Sequence, residues 1–537
     1  MAVHPRPMIL IRGFGGPDVS DETASPYQGF NDGTVYADRR GDNYIYEGFV
    51  LRALKSRDHP YRDATNVVGY YAAELGAPPE IGDLDRDEVE GTIVLDPATE
   101  ARVLESGSAG TIWIYRYYDL RPRALRRYGE GLRRLVHLIE ACAQRRGEAF
   151  DGVDIVAHSM GGLVVREGVL AMEAAEHGSA RRRIHRIVTL GTPHRGISFQ
   201  RAPDWLLRVL PGVEQASDEL ASFDPASMRF QAWQKAFDAR NVLTVVGTDY
   251  RSYGVGVATK LNRLSSLFDD GSLAYNRSDG LVKQASAQLP GAPRTFVHKC
   301  HGGGDSLVTS REAFEIAMRF FHGTHRVALS LDRAQVKRGG DWFGRSEFYL
   351  GVSIKPRYVD FELFHQSPEA ENCYGPFHEH DLSDDVPDLA AELEKPLAEF
   401  GDQTTGWAGP NRLVWEGWVD GRAKPDRAQG IVFRLDFYVG ERDTYGIGFS
   451  DNVVYRKQYY LQAFPGSPPE LYIHTGETHL AGDQALDQTE LRARAAPGAA
   501  SEIQAAEPVD CSPGEWTFDI AGTGFDGRFR VSITADA

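Results

Sequence analysis

Apolar runs of four or five residues recur through the first 325 positions, each bounded by polar or glycine-containing sequence. They are Met8–Ile11, Thr111–Tyr115, Val153–Ala157, Arg186–Leu190, Val242–Val246 and Arg294–Val297. Runs of that length between turn residues predict strands buried on both faces of a sheet. The spacing changes between them. Arg123–Gln144 repeats Leu125, Tyr128, Leu132, Leu135, Leu138 and Ile139 at helical intervals, with its arginines mainly on the opposite, solvated face. Gly162–Met172 carries a second apolar set at helical spacing. Strands alternating with helices predict an α/β domain with a mostly parallel sheet covered on both sides.

Two longer stretches interrupt this alternation. About 17–110 contains the aromatic and glycine-rich sequences Tyr27–Tyr36 and Asn43–Leu51, which read equally well as the lining of a pocket or as an extra core layer. About 197–240 begins with an amphipathic stretch through Trp205, Leu206, Leu207, Val209 and Leu210 and follows the fourth expected strand, a position suited to a lid. Beyond residue 325 the texture is β-rich, with expected strands at Phe348–Ile354, Tyr358–Phe364, Leu413–Val419, Ile431–Val439, Val453–Ala463 and through Phe518–Thr534. Only Asp384–Phe400 reads as helical there, and Ala495–Ala506 reads as a mobile low-complexity loop. An all-β, sandwich-like domain is the expectation for 326–537, after an α/β domain at 1–325.

Charge sharpens that division. From Arg326 onward there are 20 Lys and Arg against 35 Asp and Glu, whereas the first 325 residues carry 39 against 41, so almost all of the net charge of −17 lies in the second part. Such a surface repels nucleic acid and anionic lipid. It serves as a solubilising acidic face or, less simply, as a docking face for a basic protein partner. No run of about eighteen apolar residues exists to span a membrane, and Met8–Ile11 is too short for a signal-peptide core. The expectation is a cytoplasmic protein, or one exported without a cleaved signal. Cys142, Cys300, Cys373 and Cys511 are widely separated, a pattern of reduced thiols that provides neither a disulfide framework nor a zinc site.

The chemistry concentrates in Val153-Asp-Ile-Val-Ala-His-Ser-Met-Gly161. An apolar strand that runs through a small residue, His158, Ser159, Met160 and Gly161 into a helix is the sequence form of a nucleophile elbow. The turn forces the serine into a sparsely allowed conformation, tolerable only beside small neighbours, here Ala157 and Gly161. The Met160 N–H at the helix start can then donate to an oxyanion. Serine needs a base and a group that orients the base. Asp279, in Ser278-Asp-Gly-Leu-Val282, and His301, in His301-Gly-Gly-Gly304, supply them in the chain order Ser, Asp, His. Asp249 and His298 are the alternatives. Asp279 is preferred because Gly280 and an apolar anchor frame it; His301 is preferred because alternation would tuck His298 into its strand. His158 and His194 read as local structural groups. The loop Arg12-Gly-Phe-Gly-Gly16 follows the first strand, and the Phe14 N–H is the expected second oxyanion donor. The glycine spacing there does not match a dinucleotide-binding fingerprint.

Ile9–Gly16, Ala157–Gly162, Leu190-Gly-Thr-Pro-His-Arg-Gly196, Ser278–Val282 and His301, taken together and in this order, resemble lipase-type α/β-hydrolases, including the group of bacterial lipases and inositol-deacylase-like proteins. The resemblance covers roughly residues 8–322. It implies a Ser159–His301–Asp279 triad, Phe14 and Met160 as oxyanion donors, a small-molecule or lipid ester substrate, an acyl-enzyme intermediate, and no metal or organic cofactor. Arg12 stands where that family usually has His, which bears on substrate preference; Ala157 stands where many members have Gly. Acyl transfer or amide hydrolysis would use the same groups, and an inactive binding protein on this fold is the reading from another class. Residues 326–537 resemble no family.

Overall fold

In the computed structural model of the protein the described residues are 5–13, 30, 48–70, 92–94, 105–117, 124–195, 227–251, 278–302, 305–336, 346–357, 359, 361–377, 413–421, 430–443, 452–466, 469–475, 487–496 and 502–536. The chain forms two compact units. The first comprises Met1–Thr259, Asp279–Pro293 and Lys299–Ala317; the second comprises Lys260–Ser278, Arg294–His298 and Met318–Ala537.

In chain order the first unit carries β1 (Met8–Ile11), α1 (Phe49–Lys55), β2 (Asp63–Tyr70), β3 (Thr92–Val94), β4 (Thr111–Arg116), α2 (Leu125–Arg146), β5 (Val153–His158), α3 (Met160–Ala175), α4 (Ser179–Arg183), β6 (Ile184–Leu190), α5 (Met228–Ala236) and β7 (Val242–Gly247). Its strands line up as β3-β2-β4-β1-β5-β6-β7. Every adjacent pair is parallel except β2 with β3. This is the α/β-hydrolase fold with a mostly parallel sheet. β1, β4, β5 and β7 are buried along nearly their whole length, as two-sided burial requires.

The stretch 17–110 contributes β2 and β3 to the sheet. Phe30 and Phe49 from its aromatic segments are fully buried. The Phe49 ring packs edge-on against Phe30 and against Phe314. Most of Tyr27–Tyr36 and Asn43–Leu51, and the lid-like stretch through Trp205–Leu210, lie outside the described residues.

α2 buries Leu125, Tyr128, Leu132, Leu135, Val136 and Ile139 on one face and ends at Gly147, whose φ of 68° is the left-handed stop expected of glycine. It crosses α3 closely: a Cβ on Gly129 would lie 2.5 Å from the Glu167 carbonyl carbon. Glu167, itself buried, receives Arg229 of α5 at 3.1 Å and so pins α5 to α3.

β8 (Arg294–Val297) and α6 (Arg311–His322) come next in the chain, followed by the strands of the second unit: β9 (His325–Val336), β10 (Ser346–Pro356), β11 (Phe364–His365), β12 (Tyr374–Phe377), β13 (Leu413–Val419), β14 (Ile431–Asp443), β15 (Asn452–Phe464), β16 (Glu470–His474), the helix α7 (Gln488–Arg494), β17 (Gln504–Ala505), β18 (Glu507–Pro508), β19 (Glu515–Gly522) and β20 (Phe525–Ala535). They form two antiparallel sheets. One runs β11-β10-β14-β15-β16-β17 with β12 also on β10; the other runs β13-β9-β20-β19-β18. Phe437 of β14 joins them, its ring 4.8 Å from Phe525 and 5.1 Å from Phe529 of β20. The all-β expectation for this region holds.

Among the described residues of Tyr358–Phe364, expected as a strand, only Phe364 lies in one, paired into β11 with His365. A turn closed by the Val359 N–H on the Pro356 carbonyl takes the chain out of the sheet first. Asp384–Phe400 lies outside the described residues. Among the described residues no helix is long and apolar enough to cross a membrane.

Truncating Phe437 would leave a cavity between two sheets that repacking cannot close. Phe437→Ala is expected to cost about 3–5 kcal/mol in the second unit, measured as a lowered urea midpoint for amide protection of β14 and β20 peptides by hydrogen exchange. Unchanged protection there would rule out the shared aromatic core.

Candidate active site

The ends of β5 and β6 and two loops of the first unit converge on one point. Ser159 follows β5 with φ 54° and ψ −128°, a conformation that a side chain other than glycine's rarely adopts, and it caps α3. Its N–H donates to the Leu190 carbonyl at 2.9 Å, and its own carbonyl accepts from the Gly162 N–H at 3.1 Å. Close approach is what lets the turn form. A Cβ on Gly161 would lie 2.5 Å from the Ile11 carbonyl oxygen, and one on Gly13 would lie 2.5 Å from the Ser159 Cβ. Ala157 is fully buried in the strand below.

His301 Nε2 lies 2.9 Å from Ser159 Oγ, and its Nδ1 lies 2.8 Å from an Asp279 carboxylate oxygen. All three residues are buried, with Ser159 5%, His301 4% and Asp279 1% exposed, so water does not compete for these bonds. The carboxylate accepts at Nδ1, so Nδ1 carries the proton and Nε2 presents a lone pair to the serine hydroxyl. The second Asp279 oxygen accepts the Leu281 N–H at 3.1 Å and the Val282 N–H at 2.7 Å. Gly280, at φ 99°, allows that turn. Space for the pair comes from two more glycines: a Cβ on Gly191 would lie 2.8 Å from an Asp279 carboxylate oxygen and 3.2 Å from His301 Nδ1, and one on Gly247 would lie 2.7 Å from the Asp279 Cβ.

The loop bearing His301 is closed on itself. The backbones of Cys300 and Ser306 pair as an isolated parallel β-bridge, and the Leu307 N–H donates to the Cys300 carbonyl at 3.0 Å. The Cys300 thiol lies 3.0 Å from the Asp305 carbonyl oxygen, and burial pushes its pKa up to about 11. Lys299 pairs with Asp305 at 2.6 Å.

The alternatives make other contacts. Asp249 accepts the Arg251 N–H at 2.9 Å. His298 is exposed, not tucked into its strand as alternation suggested, because β8 has already ended at Val297; its ring lies 6.1 Å from that of His365. His194 donates to or accepts from the Thr189 hydroxyl at 2.9 Å and stacks on Trp233, with ring planes 9° apart. Burial, helped by the charge of Arg166, holds its pKa down at about 3. Met160 is buried at the start of α3, and the Cβ position of Gly13 lies 3.0 Å from its amide nitrogen. Phe14 lies outside the described residues. Among those residues no cluster of three or more His, Cys, Asp or Glu could hold a metal ion. The spacing role of Gly13, Gly191 and Gly247 was not read from the sequence, although Gly13 and Gly191 sit inside the quoted motifs.

A family model described as the PGAP1-like alpha/beta domain matches residues 117–236, the stretch that includes β5, Ser159, α3 and β6. No curated protein matches the chain. Among solved structures, a gene product of Listeria innocua is 14% identical with a TM-score of 0.30, over 59% of this chain and 94% of that one. Phospholipase PlaB from Legionella pneumophila is 12% identical with a TM-score of 0.29, over 72% of this chain and 90% of that one. The family match covers the elbow and its flanking elements and is consistent with a lipase-type α/β-hydrolase.

The buried neutral His194 links stability to pH. Below its ordinary pKa of 6.5 the unfolded chain takes up a proton that the folded protein refuses until about pH 3. The stability is complete above pH 6.5 and falls as pH drops through that window, by about 2 kcal/mol at pH 5. His194→Gln is expected to remove about that much of the loss between pH 7.5 and 5.0 in denaturant unfolding; an identical pH dependence in the variant would exclude His194 as its source.

Proposed function

We propose that this protein is a lipase-like serine hydrolase that cleaves carboxylic esters through an acyl-enzyme. The observation that carries this reading is the continuous hydrogen-bond path from Ser159 Oγ through His301 to Asp279, at 2.9 and 2.8 Å, with the serine on a strained strand-to-helix turn.

In the proposed mechanism Ser159 Oγ attacks the ester carbonyl carbon as His301 Nε2 takes its proton. Asp279 keeps the proton on Nδ1 and offsets the positive charge that develops on the ring. The oxyanion turns toward the Met160 N–H, where the α3 dipole favours negative charge, and toward the Phe14 N–H. His301 passes its proton to the departing alcohol. Water, activated by the same nitrogen, then attacks the acyl carbon, and the acid and free Ser159 are regenerated. The fold and the family match also support the inositol-deacylase-like group as the setting for this chemistry, with a lipid or small-molecule ester as substrate.

Hydrolysis of p-nitrophenyl esters from acetate to palmitate tests the reading. Ser159→Ala is expected to lower kcat by at least about 10⁴-fold and to abolish labelling by a fluorophosphonate probe. A folded wild type that neither turns over any ester nor takes the probe would sink it.

The orienting acid is tested separately. Asp279→Asn is expected to lower kcat by about 10⁴-fold with KM little changed, whereas Asp249→Asn stays within about tenfold of wild type. The reverse ranking would transfer the role to Asp249.

A further inference from the structure

The residue immediately before the nucleophile is a second histidine whose side chain reaches the proposed base. His158 Nε2 lies 2.8 Å from the main-chain carbonyl oxygen of His301. A carbonyl only accepts, so Nε2 carries the proton and donates. The two rings lie 4.7 Å apart at 43°. His158 is 4% exposed, and its Nδ1 has no hydrogen-bond partner among the described residues. With its one donor committed to that carbonyl, the ring works as a neutral tether.

His301 is thereby gripped at its backbone on both sides. Its N–H donates to the Asp279 carbonyl at 2.9 Å, and its C=O accepts from His158. Its side chain is held at Nδ1 and Nε2 by Asp279 and Ser159. The tether ties base to nucleophile through one peptide bond, because His158 and Ser159 are consecutive. A movement of the elbow therefore carries the base with it, and their separation is preserved.

We infer that His158 is a positioning residue for the proposed hydrolysis, fixing the His301 backbone so that Nε2 stays within reach of the serine hydroxyl. The inference rests on the function proposed above. Burial, the nearby His301 ring and the Arg12 guanidinium push the His158 pKa well below its ordinary value, so the tether does not add a competing positive charge when His301 becomes imidazolium.

The experiment uses the full-length chain with three substitutions. His158→Phe keeps a ring against His301 and removes the donor; His158→Met removes the donor on a more adaptable side chain, in case Phe does not fold; His158→Gln keeps an N–H that can reach the carbonyl. Ester turnover is measured alongside the low-field Nδ1–H proton resonance of His301 in protein labelled with isotopic histidine. That resonance reports the His301–Asp279 bond whether or not the protein is active.

The expected result is a kcat lowered about 10²-fold with KM unchanged in the folded donorless variants, loss or broadening of the resonance in them, and recovery of most of both in His158→Gln. A donorless variant that keeps a sharp resonance and wild-type kcat would overturn the inference, as would a Gln variant no better than Phe or Met. A wild type that shows the resonance yet hydrolyses no ester would refute the proposed function instead, leaving the resonance in the variants to decide whether His158 holds His301.

Discussion

The backbone at Ser159 is the constraint on which the site depends. At φ 54° and ψ −128° a serine sits where steric repulsion costs about 1–3 kcal/mol, and the surrounding chain must keep it there. It does so by proximity. The β1 loop comes so close at Gly13, and α3 starts so close to β1 at Gly161, that neither position has room for a Cβ. The Leu190 carbonyl holds the Ser159 N–H from the neighbouring strand. The strained turn presents Oγ to His301 Nε2 and places the Met160 N–H at the start of α3 beside it. A side chain at either glycine would press on the turn itself.

The same economy of space governs the partners of the serine. Asp279 and His301 fit together because Gly191 and Gly247 vacate the volume that side chains would fill. In so dry a setting, charge has to be rationed. Two further histidines lie close by, and burial depresses the pKa of both. His158 is committed to a backbone carbonyl and His194 to a threonine hydroxyl and a tryptophan face. Among the histidines packed around the serine, His301 is the one with a carboxylate at Nδ1, so it is the ring equipped to accept a positive charge.

What was legible in the sequence follows from how local each signal is. β1 and β8 match their expected runs residue for residue, and β4, β5 and β7 extend theirs by one residue, because an apolar run bounded by polar residues specifies a two-sided buried strand without outside help. β2 escaped notice because Asp63-Ala-Thr-Asn-Val-Val-Gly-Tyr70 mixes polar and apolar residues without a clean period; it is recruited by pairing with β4, not by its own composition. Tyr358–Phe364 failed in the opposite way. Its alternation is good, but the Val359 N–H closes a turn on the Pro356 carbonyl at its start, and alternation does not register a turn. Ser159, Asp279 and His301 were readable because each lies in a short motif with a local backbone demand. The tether from His158 to the His301 carbonyl spans 143 positions and ends on a backbone atom that every residue type shares, so no sequence pattern could announce it.

The histidine loop is held by more than its glycine content suggests. Gly302 and the glycines after it suggest a loop free to adjust, yet the described part is stapled: the Cys300 and Ser306 backbones pair, the Leu307 amide and the Cys300 thiol make further hydrogen bonds within it, and Lys299 pairs with Asp305. Arg52 of α1 donates to the Thr309 carbonyl at 2.8 Å and ties the loop's far end to the helix carrying Phe49. The proposed role of His301 as a base would gain from this restraint, because a shift of an ångström at Nε2 is enough to lose the serine hydroxyl. The placement of His301 comes from these hydrogen bonds.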